Sequence, residues 1–432
     1  MAPSLGVLAG ACAAVSLTAC LAAPHRGGED GGGEDDGGGR PDALRLGGSY
    51  HTHCAIRSGG ALYCWGAGGA GQLGDGAALD RDNAVPVLDE SSQPLTGVRA
   101  VTGGLDHSCA IVGDGTVRCW GSNDLGQLGD GGSQNTMQVE TSVVGVTGAA
   151  ELSAFGPHTC ALISGGGVLC WGSDIDGELG NDGVGGPVPE SFPMEDADGL
   201  IGDAIAVATG HHHSCAVRAD GRVWCTGLNA QGQLGRYSGE AFECSRDIPR
   251  VLETAAGEYL EGASQVAGGF RQSCAITGAT VECWGDPRCG QLGDGTEITA
   301  CLAPTGEVCD DEGSSPPVQV DLGVFASCSP IQIGAGEDFA CVLCAEGTVG
   351  CWGAGTRGRL GNGLESSSSS AVLVAGIEQV EEISVGAQSA CARVAGGEVY
   401  CWGEGSEGQL GNGVSGAPVF STSPVPVIGL PP

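Results

Sequence analysis

Fourteen cysteines stand along this chain in seven pairs, a spacing with two chemistries open to it, metal binding and disulfide formation. The first members are Cys54, Cys109, Cys160, Cys215, Cys274, Cys341 and Cys391; the second are Cys64, Cys119, Cys170, Cys225, Cys283, Cys351 and Cys401. A chain of zinc sites needs four converging ligands and favours C-x₂-C spacing, which the pairs lack. The second pair shows why disulfides fit. In Cys109-Ala-Ile-Val-Gly-Asp-Gly-Thr-Val-Arg-Cys119, two short strands flank a Gly113-Asp114-Gly115 turn. Symmetry about Asp114 sets Cys109 opposite Cys119 and Ile111 opposite Val117 on one face, with Ala110 and Trp120 on the other. Opposed, non-hydrogen-bonded positions of antiparallel strands lie close enough for a bridge. Cys274 to Cys283 is one residue shorter and implies a tighter turn at Gly278-Ala279. Each such bridge is worth about 3 kcal/mol in the chain-entropy account.

Eight cysteines remain. Cys12 and Cys20 lie in the N-terminal apolar run; Cys244, Cys289, Cys301, Cys309, Cys328 and Cys344 fall in one stretch of the second half. Sequence proximity pairs Cys301 with Cys309 and Cys328 with Cys344, leaving Cys244 for Cys289, although six cysteines allow fifteen pairings.

Other candidate chemistry is thin. His211-His212-His213 is the one histidine cluster, a possible site for a stray divalent metal, but His213 matches a histidine recurring as His107 and His158. His51 and His53 flank that position in the first copy, where Thr52 sits; later copies carry Gln272, Phe339 and Ser389 there. A histidine that comes and goes is expected to be structural. Carboxylates are everywhere, so none stands out for acid–base work, and no G-x-S-x-G nucleophile motif appears. With no lysine among 17 basic residues, Schiff-base chemistry and the P-loop are excluded. The G-D-G and G-N-G turns lack the calcium-loop ligand pattern. No catalytic residue, metal ligand or cofactor is expected.

The elements that must position the cysteines repeat with them. Successive first cysteines lie 55, 51, 55, 59, 67 and 50 residues apart, a period belonging to propellers and solenoids. Before each comes an apolar stretch ending near glycine, such as Val98 to Gly103. After each second cysteine come Trp-Gly, a G-Q-L-G turn and a proline-bearing strand, as at Val85-Pro-Val-Leu88, Ile248-Pro-Arg-Val251, Pro317-Val-Gln-Val320 and Val425-Pro-Val-Ile428. Proline suits an edge position. Six of the seven tryptophans sit in C-W-G (Trp65, Trp120, Trp171, Trp284, Trp352, Trp402), one packing anchor per unit. Trp224 is displaced by one residue, with Thr226 in the usual place. Four short strands per unit predict an all-β, seven-bladed propeller, its ring closed by N- and C-terminal strands sharing one blade.

The pattern G-x₃-H-x-C-A…G-x-V-x-C-W-G-x-N-x-x-G-Q-L-G-D-G resembles the regulator of chromosome condensation repeat. The best copy runs from Gly103 to Gly131, and seven copies cover about residues 43–430. Two cysteines replace small or apolar residues of the usual pattern. The resemblance implies a seven-bladed propeller and, by the family's name, guanine-nucleotide exchange on a nuclear small GTPase at chromatin. Against that activity, an acidic glycine tract stands where the chromatin-binding member has a basic tail. Exported bacterial relatives resemble protein-binding inhibitors that use one propeller face.

Charge and the N-terminus place the protein. A net charge of −35 repels nucleic acid and anionic lipid. Residues 5–19 form an apolar run ending in Leu17-Thr18-Ala19-Cys20, which resembles a bacterial lipobox with Cys20 as the lipidated residue. Ordinary secretory cleavage nearby is the alternative. A disordered glycine and acidic tether is expected at 21–42. Export to an oxidising space agrees with the cysteine count.

The expected role is an exported, cell-envelope or secreted protein-binding propeller, monomeric, touching membrane only through its lipid anchor. Cysteine-containing insertions within 236–338 and one face of the ring are the expected recognition surface. The rival is an envelope enzyme on polysaccharide or peptide, which needs acidic or histidine side chains converging at the central channel.

Overall fold

The computed structural model describes residues 43–48, 50–183, 185–235, 245–254, 256–296, 298, 301, 315–325 and 327–431. The first repeat forms one antiparallel sheet from β1 (Ala43–Gly48), β2 (Thr52–Arg57), β3 (Leu62–Gly66) and β4 (Arg81–Pro86), in that order. Six further sheets repeat this sequential order over 98–142, 149–193, 204–251, 263–319, 330–373 and 380–426. Each first strand lies against the first strand of the next blade, and that of blade 7 lies against β1, so seven blades form a closed ring. The proline-bearing segments are the outermost strands, where a missing N–H costs no ladder bond.

Closure differs from the expectation. No blade is shared between the ends: β1 pairs with β2, and the last strand, Phe420–Pro426, pairs with Val399–Glu404. Every repeat carries its own first strand and its own outer strand, proline-bearing in five of the seven, so four strands are complete within one repeat. The junction of blades 7 and 1 is made by contacts between blades instead. Ala84 N–H donates to Ile428 O at 2.9 Å and Gly413 N–H to Asp82 O. The Arg57 guanidinium donates to Gly397 O and Pro431 O.

The second and third strands of every blade set the cysteines opposite each other, and Cys109 is in register with Cys119 as Ile111 is with Val117. All seven repeat pairs are bonded, with Cα atoms 4.0 to 4.1 Å apart. Cys328 is bonded to Cys344. Cys289 is bonded to Cys301, which replaces both Cys301–Cys309 and Cys244–Cys289. The two stand 12 positions apart within one connection, nearer than Cys244 is to Cys289; Cys20, Cys244 and Cys309 lie outside the described residues.

One motif locks each blade to the one before. The six C-W-G indoles are fully buried. Each donates its Nε1–H to a carbonyl in the G-Q-L-G turn of the preceding blade: Trp120 to Gln72 O at 2.9 Å, Trp402 to Arg359 O at 3.0 Å, and Trp65 to Gln409 O of blade 7 at 3.1 Å. Glycine is required beneath the indole, because a Cβ on Gly74 would lie 2.7 Å from Trp120 Nε1 and 2.8 Å from Val87 Cγ1. The C-W-G glycines have φ between 98° and 108°, a region L side chains avoid. Blade 4 departs: the Thr226 hydroxyl donates to Gly177 O at 2.8 Å, and fully buried Met194 stands where Val87 stands in blade 1. Half-buried Trp224 instead meets the Arg218 guanidinium, 5.3 Å from its ring.

Candidate binding site at the propeller axis

In an up-down-up-down blade, the connection from first to second strand and the one from third to fourth emerge on the same face. That loop face carries the G-Q-L-G turns and a short turn at the axis from each blade. The seven axial turns are tied to one another by backbone hydrogen bonds that run once round the ring. Tyr50 N–H donates to Gly104 O, Leu105 to Gly156, Gly156 to Gly210, His211 to Gly269, Phe270 to Gly336, Glu337 to Ala387, and Ala387 to Tyr50, at 2.8 to 3.3 Å. This belt leaves the backbone satisfied and turns the side chains toward the axis.

Just beneath lie the repeat histidines. His107 Nε2 meets Thr159 Oγ1 at 2.6 Å, His158 meets Ser214 Oγ at 2.9 Å, and His213 meets Ser273 Oγ at 2.8 Å, each across to the next blade. At the junction of blades 7 and 1 the two partners are exchanged. Ser389 occupies the histidine position and His53 the hydroxyl position, and they meet at 2.8 Å. All four rings are out of water. Burial pushes His53, His107 and His213 down to about 3 and His158 to about 4. These histidines are neutral struts between blades.

At the axis, side chains from four blades converge. The Tyr50 ring centroid is 5.6 Å from Phe155, 5.9 Å from His211 and 6.5 Å from Phe270; His211 and Phe270 are 4.2 Å apart. The Arg271 guanidinium lies 4.8 Å from the Phe270 ring centroid. A cavity of about 10 Å³ beside them is lined by His211, His212, Gln231 and Phe270, at the foot of the blade 4 loop. Polar groups ring the cluster. Burial, then Glu337 and Asp338, push the Tyr50 hydroxyl above its ordinary range, so it stays a donor. Burial, then Glu337, raise Asp338 to about 6, against Arg271 and Arg359. Burial, then neighbouring histidines, lower His211 to about 3. Burial alone would raise fully buried Glu178, but His212, His158 and Ser173 hold it down at about 2. His212 faces Asp176 at 3.4 Å, and His51 faces Glu407 at 3.4 Å.

Among the sequence candidates, the structure brings His211 and His212 to the axis and puts His213 in the strut layer below. Among the described residues, no three His, Cys, Asp or Glu side chains form a ligand set for a metal. The long connections of blades 4 and 5 leave and rejoin on the loop face, between Leu228 and Ser245 and between Gly285 and Ser315, with Cys289 bonded to Cys301 in the second. Cys328–Cys344 staples a connection on the opposite face. Residue-by-residue reading missed Tyr50, Phe155, Phe270 and Arg271. Their signal was compositional: only 19 aromatic residues occur in the chain, and three of them fall in the axial turns.

The ring closed by seven equivalent junctions decides the kinship, and a family model described as the RCC1-like domain matches residues 61–430. The chain belongs to the RCC1-like domain family. Relatives of this RCC1-like chain include the ultraviolet-B receptor UVR8 of Arabidopsis thaliana, 28% identical over 322 residues, covering 73% of this chain and 66% of the receptor. The E3 ubiquitin-protein ligase HERC2 of Homo sapiens is 30% identical over 336 residues, covering 76% of this chain and 6% of the ligase. The match thus spans less than two thirds of either relative. Among solved structures, human WBSCR16 superposes with a TM-score of 0.67 at 21% identity, covering 84% of this chain and 93% of that one. Yeast RCC1 (Prp20) bound to Kap60 gives 0.67 at 21%, covering 85% and 83%.

Proposed function

We propose that this RCC1-like propeller is an exported protein-binding module that presents its loop face to a protein partner and acts by binding rather than by catalysis. The observation that carries this reading is the axial cluster. Aromatic and arginine side chains at the centre of a rigid face are the composition of interface hot spots. The belt of backbone bonds pre-organises them, which lowers the ordering cost of association. The connections of blades 4 and 5 leave from and return to the same face. Yeast RCC1, a relative in fold, has been solved with the protein Kap60 bound to it. Nine disulfides among the described residues favour an oxidising compartment, with Cys20 as the lipid anchor.

Photo-crosslinking tests the face. A benzophenone side chain at exposed Ile175 or Leu364 on the loop face should yield a discrete protein adduct in intact cells, whereas one at exposed Leu200 or Tyr259 should not. Adducts from the opposite face alone would overturn the assignment. Deleting 296–315 should weaken the loop-face adduct. Replacing Cys20 by serine should release the protein from the membrane fraction.

One observation favours a second reading. Tyr50 lies 5.9 Å from His211, ring to ring, and feels the charge of Asp338, at the axis where an envelope enzyme on polysaccharide or peptide would need such groups. Turnover lost in Asp338→Asn with the fold intact would establish it.

A further inference from the structure

Arg271 is unlike the other arginines whose side chains the structure describes. In a chain with 52 acidic residues, a guanidinium ordinarily finds a carboxylate. Arg81, Arg118, Arg218, Arg222, Arg288, Arg357, Arg359 and Arg393 do so, while Arg57 and Arg99 are held by carbonyls and Arg45 is engaged too. Arg271 makes no ion pair and its side chain no hydrogen bond. It is held instead against the ring of Phe270, part-exposed, at the centre of the loop face. Stacking on an aromatic face orients the guanidinium and leaves its N–H edge free to donate. That edge matches the two oxygens of a carboxylate, and such bidentate pairs gain strength in a desolvated site.

We propose that Arg271 is the recognition arginine of the axial site and that its occupant is a single Asp or Glu side chain of the protein partner. This rests on the protein-binding reading above. The surroundings set the rest of the partner's chemistry. Asp106, Glu337 and Asp338 stand in the axial turns and Glu407 faces His51 beside them, with Arg359 already committed to Glu337 at 3.7 Å. Such a ring repels a polyanion and attracts cations, so the carboxylate sits on an otherwise basic surface. The protonated Tyr50 hydroxyl, also facing the axis, is a second donor.

The test uses the full folded chain with ¹⁵N-labelled arginine and the peptide acetyl-Lys-Gly-Glu-Gly-Lys-amide. The Arg271 Nε–Hε signal should shift saturably. Affinity measured by calorimetry should weaken at least tenfold for the glutamine version of the peptide and at least fivefold for Arg271→Lys, which keeps the charge and loses the fork. Arg271→Gln should abolish calorimetric binding of the Glu peptide with little change in thermal unfolding, since no internal hydrogen bond or ion pair is lost. Equal binding of the Glu and Gln peptides, a preference for a phosphoserine version, or no binding would each overturn the assignment. Loop-face crosslinks that persist alongside such a result would leave the protein-binding reading standing and remove only the role of Arg271.

Discussion

A buried imidazole held by one hydroxyl titrates far below its ordinary range, and four such rings join neighbouring blades here. The unfolded chain takes up protons near pH 6.5, whereas folded His53, His107 and His213 resist until about 3 and His158 until about 4. A base with a lowered folded pKa contributes stability that is complete above pH 6.5 and is lost as pH falls from there toward 3. The loss is about 1.4 kcal/mol per pH unit for each histidine, on the order of 2 kcal/mol each at pH 5. Denaturant unfolding at pH 7.5 and pH 5 should therefore show a marked acid loss, and His107→Gln should reduce the slope. Equal stability at both pH values would refute the strut assignment. The exchanged pair His53–Ser389 explains why a histidine wanders between repeats: the interaction is kept while its halves trade places.

Strands and turns show compensation of another kind. In six junctions an indole and an aliphatic side chain share the space over a G-Q-L-G glycine. In the junction of blades 3 and 4 the indole is replaced by Thr226 and the aliphatic side chain enlarged to Met194, which takes up part of the space an indole would fill. Thr226→Trp alone should destabilise by about 1–3 kcal/mol through overpacking, and Met194→Val alone by about 1 kcal/mol through a void. Together they should restore much of the loss. A double-mutant cycle in urea that shows simple additivity would mean the two residues do not share one space. Thr226 and Trp224 were visible in the sequence as a departure; Met194 was not, because its partner is remote in sequence and only packing makes them neighbours.

The ring has seven junctions of one general kind; at the one between blades 7 and 1 no peptide crosses, and the histidine and hydroxyl have traded places. Both edges of that gap meet Arg57: Ala43 pairs with it in the sheet, and Pro431 O accepts from its guanidinium. No strand is exchanged across the gap, so the ring can be opened elsewhere. A permutant of the described domain, with 431 joined to 43 by a short linker and new ends at the Ser91-Ser92 turn, should fold with all seven hairpin bridges formed. Its melting temperature should lie within a few degrees of the parent, because every blade remains intact. Failure to fold, with reshuffled disulfides on mass mapping, would show that this junction carries a role the other six lack.

Blade number, strand order within each repeat and the seven hairpin disulfides were legible in the chain, since each depends on residues at most a few tens of positions apart. Alternation across a hairpin and a glycine turn place Cys109 opposite Cys119 whatever the rest of the ring does. How the ring closes, which cysteines of blade 5 meet, and what gathers at the axis were settled only in three dimensions. Tyr50, Phe155, His211 and Phe270 lie in four different repeats, and no local pattern brings them together. Only curvature accumulated over seven blades does that, and it leaves one stacked arginine at the centre with no carboxylate in ion-pair contact among the described residues.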